Sequence, residues 1–379
     1  MSIRQYNLGS IVKPGFNPLG AQTSVTTYQP YLYTWGSNQY GQLGLGNTTY
    51  YSSPKQVGAL TNWLNLAGGY KHTMATKSDG TLWTWGYNTS GALGTGNVIY
   101  YSSPKQVGAL TTWVTVSGGF NFSAAIKTDG TLWTWGSGVY GQLGLGNVNA
   151  YSSPKQVGAL TTWLTVAAGY RQTGAVKTDG TLWIWGNNDQ GQLGLGNTTN
   201  YSSPKQVGAL TNWRAVSIGR DFTIATKTDG TLWTWGGNGY GQLGLGNTTY
   251  FSSPKQVGVL TAWLKAVNTG GNSSVATKTD GTLWSWGLNS LGQLGLGNTT
   301  YYSSPKQVGA LTTWNDVASA RRNTLATQTN GTLWTWGYNV SGQLGLGNTV
   351  SKSSPNQVGA LTSWLKIAAS QESVVATLY

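Results

Sequence analysis

The chain has 379 residues, among them 56 glycines, 20 tryptophans and 21 tyrosines, and its few charged residues (8%) give a net charge of +13. So many aromatic and so few charged residues exclude a disordered chain and a coiled coil, and the absence of cysteine excludes disulfides and thiolate metal sites. With one histidine and nine carboxylates in the whole chain, we expect no catalytic residues, no bound metal and no cofactor.

The first thirty residues differ in character from the rest of the chain. They contain Pro14, Pro18 and Pro30 and lack the apolar stretch of a secretory signal. We therefore predict an extended N-terminal arm over residues 1–30 that docks on a larger assembly. No apolar run in the sequence approaches the length of a transmembrane helix, so we expect no membrane insertion.

From residue 31 onward the chain consists of seven copies of one unit. A Trp-Gly pair recurs at intervals of 50 residues, and once of 51, at Trp35, Trp85, Trp135, Trp185, Trp235, Trp286 and Trp336. The extra residue lies within the stretch 268–272. Because loops absorb insertions more readily than strands do, we predict that this stretch is a loop.

One copy of the unit contains three or four short strands and no helical periodicity. Its predicted elements are an extended segment at 55–57, strands at 63–67 and 72–77, a hairpin turn at Asp79-Gly80, a strand at 81–85 and a glycine-punctuated loop at 91–96. Seven such units predict an all-β fold, a seven-bladed β-propeller that occupies residues 31–379.

The two ends of the repeat region complement each other. The C-terminal segment matches the strand that precedes the Asp-Gly turn, and the segment that begins at residue 31 matches the strand that follows it. An open row of blades would expose two bare sheet edges, which invite aggregation. We therefore predict that the C-terminal strand (374–379) pairs with the N-terminal strand (31–35) and closes the ring.

Two phrases of the repeat resemble a known family. Residues 35–46 (WGSNQYGQLGLG) and 66–73 (LAGGYKHT) resemble the signature of the regulator-of-chromosome-condensation repeat, and the resemblance covers about nine-tenths of the chain. It implies a seven-bladed propeller that closes between its two ends. It also implies a structural role for His72, because the family repeat has a histidine there that helps to hold the blade.

Function varies within this family. The founding member exchanges nucleotide on a small GTPase through loops that depart from the repeat, and this chain has no such loop. A plant ultraviolet-B photoreceptor uses tryptophans in the segment that here carries Tyr70, Phe120, Tyr170, Arg220, Asn272, Arg321 and Gln371. The resemblance therefore implies neither activity for this chain. A bacterial inhibitor of β-lactamase shares the fold and binds its target with one face of the ring.

The positive charge is copied around the repeat. One lysine per unit occupies the phrase SSPKQVG in six copies, at Lys55, Lys105, Lys155, Lys205, Lys255 and Lys306. Five further lysines precede the Asp-Gly turns and are balanced by the turn aspartates. A charge repeated in this way forms a ring, which attracts polyanions only weakly, so nucleic acid is not the partner that we expect.

The tryptophans and the glycine-rich loops are interpreted as structural. Trp83 and Trp85 are two residues apart on one strand, so both side chains face the same way, and we expect them to pack between blades. The Gly-Gln-Leu-Gly-Leu-Gly loops lack the lysine and the following helix of a nucleotide-binding loop.

Differences between the copies concentrate in four short windows. The windows lie at 37–40, at 48–51, on both sides of Trp63 and at 70–72, with their counterparts in the other copies. They are either unconstrained surface or a binding face, and the last window favours binding because it mixes aromatic residues with arginine. The predicted binding residues are Tyr70, Lys71, His72, Phe120, Asn121, Phe122, Tyr170, Arg171, Arg220, Asp221, Phe222, Arg321 and Arg322.

Two non-enzymatic functions fit the sequence. The first is a virion-associated display or adhesion protein, on the virion or outside the cell, whose propeller face contacts a protein or a surface glycan. It resembles the repeat-bearing proteins of tailed bacterial viruses and depends on the predicted arm. The alternative is a cytoplasmic protein-interaction scaffold of the exchange-factor or inhibitor type.

Overall fold

The structure, a computed structural model, describes residues 30–268 and 271–379. Within these residues 28 strands form seven four-stranded antiparallel sheets, which are the blades of a β-propeller. The predicted all-β, seven-bladed architecture is therefore confirmed. The predicted arm, residues 1–30, lies outside the described residues except for Pro30.

The strands are numbered β1 to β28 in chain order, and each blade contributes one strand to each of four concentric positions. The innermost strands are β3 (Trp63–Gly68), β7 (Trp113–Gly118), β11 (Trp163–Ala168), β15 (Trp213–Ile218), β19 (Trp263–Asn268), β23 (Trp314–Ser319) and β27 (Trp364–Ala369). The second strands are β4 (His72–Lys77), β8 (Phe122–Lys127), β12 (Gln172–Lys177), β16 (Phe222–Lys227), β20 (Ser273–Lys278), β24 (Asn323–Gln328) and β28 (Ser373–Leu378).

The third and fourth positions complete each blade. The third strands are β1 (Tyr31–Gly36), β5 (Leu82–Gly86), β9 (Leu132–Gly136), β13 (Leu182–Gly186), β17 (Leu232–Gly236), β21 (Leu283–Gly287) and β25 (Leu333–Gly337). The outermost strands are β2 (Tyr51–Gln56), β6 (Tyr101–Gln106), β10 (Tyr151–Gln156), β14 (Tyr201–Gln206), β18 (Phe251–Gln256), β22 (Tyr302–Gln307) and β26 (Lys352–Gln357).

The ring closes as the two chain ends predict. Strand β28 pairs with β1 along its length, from Tyr31 opposite Leu378 to Gly36 opposite Ser373. The closing blade therefore has the order β2-β1-β28-β27 and combines the beginning of the repeat region with its end. Every second and third strand is thereby paired with a strand on both sides, so closure leaves neither β1 nor β28 with an unpaired edge.

The outermost strand is longer than the sequence predicts. The sequence indicates an extended segment at 55–57, whereas β2 begins at Tyr51. The pairing of β2 with β1 is irregular between Gly36 and Thr34, and Pro54 lies within this irregular part. Proline has no N–H to donate, so it is tolerated at a sheet edge, and the outermost strand is such an edge.

The insertion in the sixth copy falls between two strands. Strand β19 ends at Asn268 and β20 begins at Ser273, with Gly271 and Asn272 in a bend between them. The predicted loop is therefore found at Gly271 and Asn272, whereas Asn268 is the last residue of the strand; residues 269 and 270 lie outside the described residues.

The tryptophans form the joints between blades, as predicted. Trp85 is fully buried, and its indole Nε1 donates a hydrogen bond of 2.9 Å to the carbonyl oxygen of Gln42 in the preceding blade. Trp63 meets Trp83 and Trp85 edge-on, with ring centroids 6.2 and 6.1 Å apart. Seven such sets of three would need one tryptophan more than the twenty present, and Tyr33 takes the remaining place.

The glycine-rich loops fit against these tryptophans. A Cβ atom on Gly44 would lie 2.8 Å from the Nε1 atom of Trp85, and the φ angle of Gly44 is +73°. Only glycine meets both requirements without strain. The loops are thus packing elements, as the sequence indicates.

Candidate functional site

The connections between strands divide the ring into two faces. The loops that join innermost to second strands, with those that join third to outermost strands, form what we call the variable face (69–71, 37–50 and their counterparts). The Asp-Gly turns and the loops between blades form the constant face (78–81, 57–62 and their counterparts). Three of the four windows of difference therefore lie on the variable face, and the window beside Trp63 lies on the constant face.

The constant face joins each blade to the next. The backbone N–H of Trp113 donates to the carbonyl of Gly80 at 3.0 Å, and a Cβ atom on Gly80 would lie 2.0 Å from the carbonyl oxygen of Thr111. The same N–H to carbonyl bond recurs in five further blade pairs, at Trp163, Trp213, Trp263, Trp314 and Trp364. Backbone contacts this close leave little freedom for substitution, which accounts for the near-identical turns at Gly80 and its counterparts.

The lysine before each of the five Asp-Gly turns packs on tryptophan. The Nζ atom of Lys127 lies 3.7 Å from the ring centroid of Trp133 and 4.9 Å from that of Trp113. Burial lowers the pKa of Lys127, and Asp129 opposes that shift. Cation–π contact with the ring faces therefore joins the turn aspartate in stabilising this charge.

A cavity of about 500 Å³ occupies the centre of the ring. Its walls are the last residues of the innermost strands, and its rim consists of the loops that follow them on the variable face. The rim residues include Tyr70, Phe120, Tyr170, Arg220, Arg321 and Gln371. The first five are predicted binding residues, so the ring brings them together around one opening.

Three of the rim residues form an aromatic arc, which we define as Tyr70, Phe120 and Tyr170. The ring centroid of Phe120 lies 4.1 Å from that of Tyr70 and 4.2 Å from that of Tyr170. Backbone bonds hold the arc in register, since the N–H groups of Tyr70 and Phe120 donate to the carbonyls of Gly119 and Gly169 at 3.0 and 3.1 Å. The arc is half-buried and presents a continuous apolar edge to the opening.

Cationic side chains continue the rim beyond the arc. The guanidinium of Arg220 lies 5.4 Å from the ring centroid of Tyr170, and its Nε atom is 3.5 Å from a carboxylate oxygen of Asp221. Burial raises the pKa of Asp221, and the charges of Arg220 and Arg171 counter that shift. Arg321 also lines the opening.

A second pattern connects neighbouring blades across the variable face. Lys71 lies between the rings of Tyr40 and Tyr70, with its Nζ atom 4.5 and 4.9 Å from their centroids. Burial alone would lower the pKa of Lys71, but Tyr70, the hydrogen bond to Tyr40 and Glu372 raise it. Arg171 repeats this arrangement between two tyrosines at 4.3 and 4.9 Å, Tyr140 and Tyr170. Arg322 lies 5.4 Å from the ring of Tyr338.

Three predicted binding residues are inaccessible to a partner. His72, Phe122 and Phe222 begin second strands and are fully buried beneath the rim, so the structure places them in the packing between blades. This corrects their assignment to a binding surface. Asn121, by contrast, is half-buried in the loop beside the arc.

His72 has the structural role that the resemblance implies. The Ser123 hydroxyl donates to the carbonyl of Ala92 at 2.8 Å, so it accepts from Nε2 of His72, which lies 3.0 Å away. Nδ1 of His72 has no hydrogen-bond partner among the described residues. Burial lowers the pKa of His72 to about 4, so the imidazole is neutral at physiological pH.

The structure adds aromatic residues that the list of predicted binding residues omits. Tyr40, Tyr87 and Tyr100 form a cluster in which the ring of Tyr87 lies 4.9 Å from Tyr40 and 5.0 Å from Tyr100. All three lie in or beside the windows at 37–40 and 48–51 or their counterparts. Their shared aromatic character was the available signal, but only the fold shows that they meet.

The described residues contain no helix long and apolar enough to cross a membrane. In the same part of the chain, no group of three or more His, Asp or Glu side chains is arranged to hold a metal ion.

Comparison with known proteins identifies the repeat. The profile of the RCC1-like domain matches residues 160–378, and that of the regulator of chromosome condensation (RCC1) repeat matches 31–76, 79–126 and 129–176. The ultraviolet-B receptor UVR8 of Arabidopsis thaliana is 42% identical over 60 residues, which are 15% of this chain and 14% of the receptor. The match thus spans a small part of the receptor's length.

Solved structures share the fold across nearly the whole chain. Prp20p from Saccharomyces cerevisiae, described with its binding properties to Gsp1p and histones, has a TM-score of 0.83 at 20% identity and covers 93% of this chain and 92% of its own. Human WBSCR16 has the same TM-score and identity, and the match covers 93% of this chain and 99% of that one. At this identity the likeness establishes the fold alone.

Proposed function

Because the chain belongs to the regulator of chromosome condensation repeat family, we propose that it is a non-enzymatic scaffold that binds another protein through its variable face. The proposal corresponds to the alternative of a cellular interaction module that the sequence leaves open. The family's propellers usually act as binding scaffolds, and Prp20p is described as binding Gsp1p and histones and has been crystallised with Kap60.

One observation carries the proposal. Three windows of difference, which belong to two separate connections of each blade, lie on one face of the ring. The window at 70–72 and its counterparts bring tyrosine, phenylalanine and arginine to the opening, the residue types that are enriched where interfaces are strongest. The seven blades share one strand arrangement but differ in their variable-face loops, so each blade can contact a different part of one partner.

The experiment compares two variants that each lose three half-exposed apolar side chains. The variable-face variant replaces the arc (Tyr70→Ser, Phe120→Ser, Tyr170→Ser), and the matched constant-face variant replaces three leucines that are 48–49% exposed (Leu110→Ser, Leu160→Ser, Leu210→Ser). Each is immobilised, and proteins retained from a lysate of the producing cells are quantified by mass spectrometry. We expect the retained partner to be lost only with the variable-face variant.

Two outcomes contradict the proposal. A partner retained equally by both variants would not use the variable face, and a partner lost only with the constant-face variant would bind the opposite side. Thermal melting of each variant, followed by circular dichroism, distinguishes lost binding from lost folding.

The particle-display hypothesis remains a prediction and receives no support from these comparisons. Its arm, residues 1–30, lies almost wholly outside the described residues. Mass spectrometry of extracellular particles against soluble cytosol tests it directly. Stoichiometric enrichment in particles would favour it, whereas particle association that is unchanged after deletion of residues 1–30 would contradict a docking role for the arm.

A further inference from the structure

The central cavity has two chemically different sides. On one side the innermost strands end in Gly68, Gly118 and Ala168, and the aromatic arc stands above them at the rim. Over the remaining blades the rim carries Arg220, Arg321 and Gln371, above a wall in which apolar residues such as Val267, Val317 and Ile367 lie among polar ones. The sixth copy has one additional residue between Asn268 and Ser273, and the other blades share one backbone here, so most of this asymmetry comes from side chains.

The polar side holds groups that the protein itself does not use. Oδ1 of Asn268, Oγ of Ser319 and Oε1 of Gln371 are buried and have no hydrogen-bond partner among the described residues. Within the same part of the chain, no carboxylate forms an ion pair with Arg321. These three atoms have almost no accessible surface and therefore lie behind the cavity wall, whereas the half-buried Arg321 lines the opening and is the group that a ligand there can reach.

The size and lining are those of a small-molecule site. Ligand pockets commonly measure roughly 300–1,000 Å³ and combine apolar walls with a few placed polar groups. The cavity of about 500 Å³ falls within that range and opens to the variable face. We propose that it binds a small organic carboxylate whose planar apolar part lies against the aromatic arc and whose carboxylate bonds to Arg321 and Arg220.

The charge of the rim selects an anion over a cation. Aromatic residues can also form cages for cations, but such a cage surrounds its ligand. Here the three rings lie on one side only, and the guanidinium groups of Arg220, beside Tyr170, and of Arg321 would repel a cation. A guanidinium presents paired N–H donors that match the two oxygens of a carboxylate, which accounts for arginine at this position.

The test uses 2-naphthoate and its neutral analogue 2-naphthamide as probes, titrated separately into the purified full-length protein by isothermal calorimetry. We expect saturable binding of one naphthoate per chain, at least about tenfold tighter than naphthamide, because a charge-assisted hydrogen bond contributes at least that factor. This proposal does not depend on a protein partner, so its failure would leave the proposed function untouched.

Three variants locate the site. Arg321→Gln should weaken naphthoate binding about tenfold and leave naphthamide unchanged, since only the charged bond is lost. Phe120→Ser removes the middle of the arc and should weaken both probes. Lys105→Gln removes an exposed charge on the outermost strand β6, far from the cavity, and should change neither.

Other outcomes overturn the proposal. Equal affinity for the two probes, or equal weakening by Arg321→Gln and Lys105→Gln, would mean non-specific attraction to a basic protein. No saturation by millimolar naphthoate would also overturn it. Should Arg321→Gln melt below the wild type, Arg321→Lys replaces it, because this variant keeps the charge and loses only the paired donors.

Discussion

The constant face and the variable face are the two ends of the same 28 strands, yet they use their residues differently. On the constant face seven leucines occupy one repeated position, each 45–52% exposed: Leu60, Leu110, Leu160, Leu210, Leu260, Leu311 and Leu361. On the variable face the exposed residues differ between blades: the position of Tyr50 carries tyrosine in four blades and Ala150, Asn200 and Ser351 in the other three. A partner of the constant face would meet the same surface seven times.

The difference teaches where a repeat can change. Constant-face turns contact the backbone of the next blade, so a new side chain there disturbs a joint. Apart from the buried positions of His72, Phe122 and Phe222, the windows of the variable face lie outside the joints, and packing constrains them less. The variable face can therefore acquire a specific partner without loss of the ring, which agrees with its proposed role.

The largest effect is expected when the strand that closes the ring is removed. Deletion of residues 373–379 removes β28, which lies between β1 and β27. Two bare sheet edges result, so we expect an aggregated product without a cooperative melting transition. Size-exclusion chromatography and circular dichroism measure this, and deletion of the exposed Tyr379 alone is the control. A monomeric deletion product with a sharp transition would contradict closure by β28.

The joints between blades should be the next most sensitive. Trp185 is fully buried and donates to the carbonyl of Gln142 at 2.9 Å, whereas Trp183 on the same strand is half-buried. We expect Trp185→Ala to lower the free energy of unfolding by about 3–5 kcal/mol, because it leaves a large cavity. Trp183→Ala should lower the free energy of unfolding by less, because Trp183 is already half-exposed. Urea denaturation checks both variants, and equal losses would contradict the distinction.

The buried histidine beneath the variable face should make stability depend on pH. Its pKa falls from 6.5 to about 4 on folding, so the unfolded chain binds the proton more readily. Stability from this group is therefore present above about pH 6.5 and lost as pH falls toward 4. The variant His72→Phe has the residue found at the equivalent position Phe122. Between pH 7 and 4 its free energy of unfolding should fall by about 3 kcal/mol less than that of the wild type. Urea denaturation at both pH values measures the difference, and parallel losses would contradict it.

The smallest effect is expected at a turn of the constant face. The carboxylate of Asp129 accepts from the N–H and hydroxyl of Thr131 at 2.9 and 2.6 Å, and Asn330 makes the same bonds to Thr332 in the last complete hairpin. Asp129→Asn should therefore change the free energy of unfolding by less than about 0.5 kcal/mol. Asp129→Ala should cost about 1 kcal/mol through the lost bonds. A large cost for Asp129→Asn would show that charge, not hydrogen bonding, maintains this face.

Much of the variable face could be predicted from differences between copies. Five rim residues could be recognised because they differ between copies that are otherwise nearly identical: Tyr70, Phe120, Tyr170, Arg220 and Arg321. The same criterion also selected His72, Phe122 and Phe222, which are buried. The residues that precede them are half-buried loop residues, and sequence alone does not show that the second strand begins at this position and directs the side chain into the packing between blades.

The sequence by itself determined the all-β class, the seven blades and the closure of the ring. A period of 50 residues with alternating β-forming residues permits few other folds, and the unpaired strands at the two ends require each other. The tertiary structure alone decided which windows share a face and which side chains meet. Residues 50 apart in the chain become neighbours only when blades pack side by side, so the contacts between Tyr70, Phe120 and Tyr170 and the two-sided cavity are properties of the closed ring.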